Sequence, residues 1–147
     1  MKTVFYNSKV AEFFTPFSGF YTIMLFGFVF TEKKSLSTAV LLHENIHQKQ
    51  YAECVGIGLC IAFLCMVLFN ILWIWILPLI LYYILYLVEF LVYLVRLRDR
   101  RKAYYAISFE REAYDLMGEC NKSPSTRRSR KLCGWLYYLI SQSYQTP

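Results

Sequence analysis

The sequence predicts a mainly α-helical integral membrane protein. Its expected parts are a transmembrane helical hairpin, a helix carrying His-Glu-x-x-His before it, and a second ligand-bearing helix after it. Three observations carry that expectation. Apolar residues are concentrated in one run, Val55 to Val95; positive charge flanks both ends of the run; and the only two histidines, His43 and His47, lie four residues apart just upstream. Residues 1–147 read as a single membrane-embedded domain. The composition, 57% hydrophobic and 19% aromatic with 18% charged, excludes a disordered chain and argues against a small water-soluble enzyme. Five cysteines, an odd number with no Cys-x-x-Cys and with Cys60 and Cys65 inside the apolar run, exclude a secreted disulfide scaffold.

The N-terminal apolar segment, residues 1–34, has two readings. Phe13–Phe30 is apolar enough for a third span, but Pro16, Gly19 and Gly27 interrupt it. The β-prone runs Phe20–Phe26 and Phe28–Thr31, on either side of Gly27, equally fit a short β-hairpin. Periodicity leaves both open. Residues 35–53 form the next expected element, a helix with Ser35 or Ser37 as its N-cap.

The hairpin should occupy residues 54–95. As one helix, Val55–Val95 would be about 60 Å long, twice the ~30 Å of a bilayer core. Asn70 and Pro78 divide it. We expect a span at Cys54–Asn70, a turn in Ile71–Leu77 and a return span at Pro78–Val95. Trp73 and Trp75 then lie at the far interface. Lys33, Lys34 and Lys49 precede the hairpin and the basic run Arg96–Lys102 follows it. The positive-inside rule therefore puts both flanks, Lys33 and Lys102 included, in the cytoplasm. These charges read as topology signals and anionic-lipid contacts, with no nucleic-acid partner. Residues 96–120 should hold the second ligand helix. Residues 121–147 form a basic and aromatic tail, with a polar loop at Asn121–Ser129 and an interfacial stretch at Trp135–Ile140.

The chemistry lies in His43-Glu44-Asn45-Ile46-His47. On a helix, residues four apart share a face, so His43 and His47 present two nitrogens to one Zn2+ ion. Glu44 stands beside them as general base. The competing reading is a chance pentapeptide whose histidines are satisfied by hydrogen bonds. Catalytic zinc takes a third protein ligand. Glu53 falls off the histidine face, and Cys54 lies about 10 Å along the axis from His47. Downstream, with Ala106–Asp115 drawn as a helix, Glu110 is the only acid in the middle of the apolar side. Arg111, Glu112, Asp115 and Glu119 gather on the other. A carboxylate buried there is costly unless it is paired or metal-bound. The alternative partner is an arginine of the Arg96–Lys102 run. Two passes through the bilayer return Glu110 to the side of the histidines, which favours the metal. Glu89, inside the return span, has two readings: a partner for Lys49 or an interfacial arginine, or a supporting group under the zinc site.

His43-Glu44-Asn45-Ile46-His47, followed at a distance by Glu110-Arg111-Glu112-Ala113-Tyr114, resembles the gluzincin pattern. It is most similar to membrane zinc metallopeptidases of the CAAX-prenyl-protease and heat-shock HtpX type. Those proteins carry HExxH, intervening spans and then Glu-x-Glu-Ala-Asp. It also looks like short bacterial membrane proteins with HExxH and a downstream Phe-Glu-Arg-Glu-Ala-Tyr segment. The resemblance covers the two motifs and the hairpin between them, about half the chain. It implies His43, His47 and Glu110 as zinc ligands and Glu44 as base, at the cytoplasmic face of a bacterial inner membrane. Tyr114 stands where the pattern has an aspartate that orients a ligand histidine. An oxyanion would fall to Tyr104, Tyr105, Tyr114 or Arg111. The expected function is hydrolysis of a peptide or membrane-protein substrate, with homo-oligomerisation as a way to wall off a small site. The alternative is a non-catalytic membrane protein, with structural zinc or a chance HExxH, that acts as an interaction partner.

Overall fold

A computed structural model describes residues 4–18 and 21–141. Phe20, the first residue of the expected strand run, lies outside them, as do Gly19 and residues 142–147 of the tail. The chain is mainly helical with one small sheet. The order is β1 (Val4–Phe5), α1 (Lys9–Ser18), β2 (Thr22–Leu25), β3 (Phe28–Thr31), α2 (Thr38–Phe69), α3 (Leu77–Leu97), α4 (Arg100–Ala106), α5 (Ser108–Met117) and α6 (Gly134–Ile140).

The N-terminal segment folds as a helix and a β-hairpin, not as a third span. β3 is central, antiparallel to β2 and parallel to β1, with Leu25 opposite Phe28 and Val4 opposite Val29. The two-residue turn has positive φ at both Phe26 (51°) and Gly27 (80°). That is the twist that suits a tight hairpin, and it explains the glycine. The turn is fixed to the helices: the Phe26 N–H donates to the Tyr83 hydroxyl, and Gln48 Nε2 donates to the Gly27 carbonyl at 2.8 Å.

α2 corrects the expected boundary between residues 53 and 54. The HExxH segment and the first apolar span are one unbroken helix of 32 residues. No proline interrupts it, and no glycine within it takes a positive φ. It starts at Ser37, whose hydroxyl accepts from the Val40 N–H at 3.3 Å. It stops at Asn70, which takes the left-handed conformation (φ 54°) that asparagine tolerates. A 3-10 turn over Leu72–Ile76 then leads into α3, with Pro78 in its first turn. Trp73 on that turn is 91% exposed. The two long helices pack tightly: a Cβ on Gly58 would lie 2.6 Å from Pro78 Cα. Both are long and apolar enough to cross a membrane by length and composition, and most of that apolar surface is exposed.

The ligand helix also departs from expectation. Residues 100–117 are two helices, broken at Ile107, whose ψ of 133° is not helical. The break turns α5 onto α2, with its first residue, Ser108, held by Glu89 of α3. Asp99 caps α4 by accepting from the Arg101 and Lys102 N–H groups. The main core lies where α2, α3 and α5 meet, with Tyr51, Cys54, Tyr82, Phe109 and Trp135 buried together. Trp135 thus anchors α6 in the core, whereas Tyr137 and Ile140 are exposed. A 3-10 turn at Gly118–Asn121 follows α5, and the loop expected at Asn121–Ser129 holds two more, Pro124–Thr126 and Arg128–Arg130.

Candidate metal centre

His43 and His47 project from one face of α2 toward α5. Their Nε2 atoms are 3.0 Å apart. Glu110, in the first turn of α5, completes the group: Oε1 is 3.4 Å from His47 Nε2 and Oε2 is 3.6 Å from His43 Nε2. All three residues are buried. Ligand atoms held tetrahedrally ~2.0–2.2 Å from one zinc stand ~3.3–3.6 Å apart; both Glu110 spacings match that, and the two histidine nitrogens, at 3.0 Å, would have to part slightly to admit the ion. Glu110 Oε2 is buried and has no hydrogen-bond partner, a costly state that a cation would relieve. The three residues can hold a metal ion. Three protein ligands leave a fourth position for water or substrate. Burial works against the Glu110 carboxylate, yet His47, His43 and the Tyr86 hydroxyl hold it below the usual carboxylate range.

Glu44 follows His43 around the helix and is itself buried. Tyr86 donates to Glu110 Oε1 at 2.8 Å, and Tyr82 places its hydroxyl 3.3 Å from His47 Nδ1. The Tyr114 ring lies edge-on to His43, with centroids 4.6 Å apart, and packs in turn against Tyr105. Tyr114 therefore covers one ligand instead of taking the aspartate's place behind it. Tyr104 packs beside Tyr105 with its hydroxyl near Glu110.

Three expectations need correcting. Arg111 does not face the site; its Nη1 donates to the Tyr138 and Ser141 carbonyls at 2.8 and 3.0 Å, tying α5 to α6. Glu112 is not on a solvated face. It is 1% exposed, because α5 is covered on one side by α2 and on another by α6, so a two-sided drawing misplaces it. Among the described residues Glu89 has no ion-pair partner. Its carboxylate accepts from the Ser108 N–H and hydroxyl, each at 2.7 Å, and so caps the N-terminus of α5 from a neighbouring helix. It holds the ligand helix, two residues before Glu110.

Gln50, which motif reading passes over, is fully buried and bonded to His47. Its signal was present. Residues 43, 47 and 50 follow the i, i+4, i+7 spacing of one helical stripe, and so do Tyr82, Tyr86 and Glu89 on α3. Each is a row of polar-tipped side chains on a helix that faces the core. Comparison with protein-family models, with curated proteins and with solved structures gives no match.

Proposed function

We propose that the chain is a membrane-embedded zinc metallopeptidase of gluzincin type that hydrolyses peptide bonds at the cytoplasmic face of a membrane. The observation that carries this reading is the convergence of His43, His47 and Glu110 from two helices far apart in sequence, with Glu44 beside the first ligand. A second observation supports the membrane: large apolar side chains such as Phe63, Leu68 and Val92 are exposed along α2 and α3. A soluble domain would bury such a surface.

His43, His47 and Glu110 would hold the zinc. When bound, zinc supplies Lewis acidity, which acidifies water and polarises a carbonyl. Glu44 takes the proton from the attacking water and passes it to the leaving amine, so the peptide bond is replaced by a carboxylate and a free amine. Tyr114, whose ring lies against His43 and is open to solvent, would supply the hydroxyl that meets a developing oxyanion. β2 is an edge strand and offers backbone groups to an extended peptide. The partners on this reading are the bilayer and a peptide or membrane-protein segment.

Near-complete burial of the ligands favours a second reading, a structural metal site without catalysis. One experiment separates them. The full chain is purified in lipid nanodiscs, its zinc is counted, and a membrane proteome is compared after exposure to the wild type and to Glu44→Gln. The peptidase reading expects one zinc in both proteins and cleavages by the wild type alone. Zinc without cleavage supports the structural site, and absence of zinc leaves a chance HExxH. Labelling of cysteines placed at Lys33 and Lys102 should find both on one side of the membrane.

A further inference from the structure

Behind His47 lies a buried relay that ends at a charge. Gln50 Nε2 has two acceptors, Glu112 Oε2 at 2.8 Å and the Phe109 carbonyl at 3.0 Å. Both of its protons are thereby used, and the amide cannot be turned over without setting its oxygen against two other oxygens. Gln50 Oε1 therefore faces His47 Nδ1, at 2.9 Å, as an acceptor. That atom must then carry a proton, which in the neutral ring that a metal ligand requires leaves Nε2 as the lone-pair nitrogen aimed at Glu110 and His43. Burial raises the Glu112 carboxyl, while Gln50 and Lys49 counter it; Lys49 Nζ lies 3.9 Å away on the outer side.

We propose that Gln50 and Glu112 are positioning residues for the metal centre: through Gln50, Glu112 fixes the tautomer and ring orientation of His47 as a ligand. This rests on the reading of His43, His47 and Glu110 as a metal site. The relay does the work that the resemblance assigns to an aspartate at the position of Tyr114. It differs in reaching the second histidine from its own helix. Its outer end is closed by the tail. A Cβ at Gly134 would lie 2.2 Å from Glu112 Oε1 and 3.0 Å from its Cδ. The residue at 134 therefore sets where the Glu112 carboxylate can be. Beside it the Cys133 N–H donates to Glu53 at 2.9 Å, and Lys49 donates to the Lys131 carbonyl.

With only two histidines, the full chain labelled with 15N-histidine gives two ring systems, and His43→Asn identifies the one from His47. In zinc-loaded protein in micelles, His47 should carry its proton on Nδ1 in slow exchange with water. Gln50→Leu should lower zinc affinity about 10–100-fold, the usual effect of losing a group behind a ligand histidine, and should speed that exchange. Glu112→Gln retains an acceptor and should lose less. Gly134→Ala touches no ligand. It should shift the His47 signals while leaving those of His43 in place, and should add nothing in a Glu112→Ala background, where the clash has no target. A His47 proton on Nε2, or unchanged affinity in Gln50→Leu with a folded spectrum, overturns the relay while leaving the metal site intact. Absence of zinc from the wild type overturns both.

Discussion

The two halves of α2 are built in opposite ways. From Leu42 to Cys54 the helix buries polar side chains: His43, Glu44, His47 and Gln50 are all inside. From Leu59 to Phe69 it exposes apolar ones, among them Phe63, Leu64, Val67 and Leu68. In water this arrangement is costly at both ends. Buried polar groups need partners, and exposed apolar surface needs cover. The first half meets most of its need inside the chain, through α5 and the tyrosines of α3, with His43 Nδ1 and the facing Glu110 Oε2 left without a hydrogen-bond partner. The second half does not, and a lipid surround would supply it. One continuous helix thus joins a polar interior to an apolar exterior, and the join lies near Lys49 and Glu53.

The comparison breaks most severely if the buried half loses a ligand. Glu110→Gln should weaken zinc binding on the order of a hundredfold or more, since one of three donors becomes a neutral amide; competition against a chelator measures it. The apolar half is tested by Phe63→Arg. On the membrane reading a cation near the helix centre costs about 2.5–3.5 kcal/mol of insertion, and an insertion assay should show the span failing. Unchanged insertion would argue that this face is covered by protein. Gly58→Val probes the contact that carries both halves, since any Cβ there meets the backbone at Pro78. Overpacking should cost about 1–3 kcal/mol, seen as a lower unfolding midpoint in micelles with the zinc stoichiometry retained.

The smallest effect lies outside α2. Arg128 and Lys122 hold the Glu119 carboxyl down to about 2, from 4.5. A depressed carboxylate contributes its full stability above about pH 4.5 and loses it as pH falls toward about 2. The difference in unfolding midpoint between the wild type and Glu119→Gln should shrink across that window, and by little, because the cations are exposed.

Much of this arrangement was legible beforehand. HExxH locates two members of the buried cluster because helical spacing alone puts His43 and His47 together. Glu110 was found because a lone acid among apolar neighbours needs a partner. The Asn70 and Pro78 signals marked the two ends of the turn, since each depends only on local backbone preference. Glu112 was misread because its environment depends on α6, whose docking no periodicity reports. For Glu89 only the cation reading fails, and for a related reason. Its partner is a backbone N–H made available by the break at Ile107, and that break leaves no proline or glycine in the sequence. The N-terminal sequence fits span and hairpin equally, and what decides is a tertiary contact, the Phe26–Gly27 turn held against Tyr83 and Gln48.

The cap that Glu89 places on α5 also sets an order of events. During synthesis α2 emerges first, holding two histidines and no third donor. α3 follows with the capping carboxylate, and the donor on α5 comes last. The cluster can close only once α5 has been made, and in the folded chain the start of α5 is held by the Ser108 contact with Glu89. A chain stalled before that point, or one whose hairpin has not assembled, holds an incomplete site. On the peptidase reading, the order of synthesis itself delays the chemistry until the donor on α5 has been made.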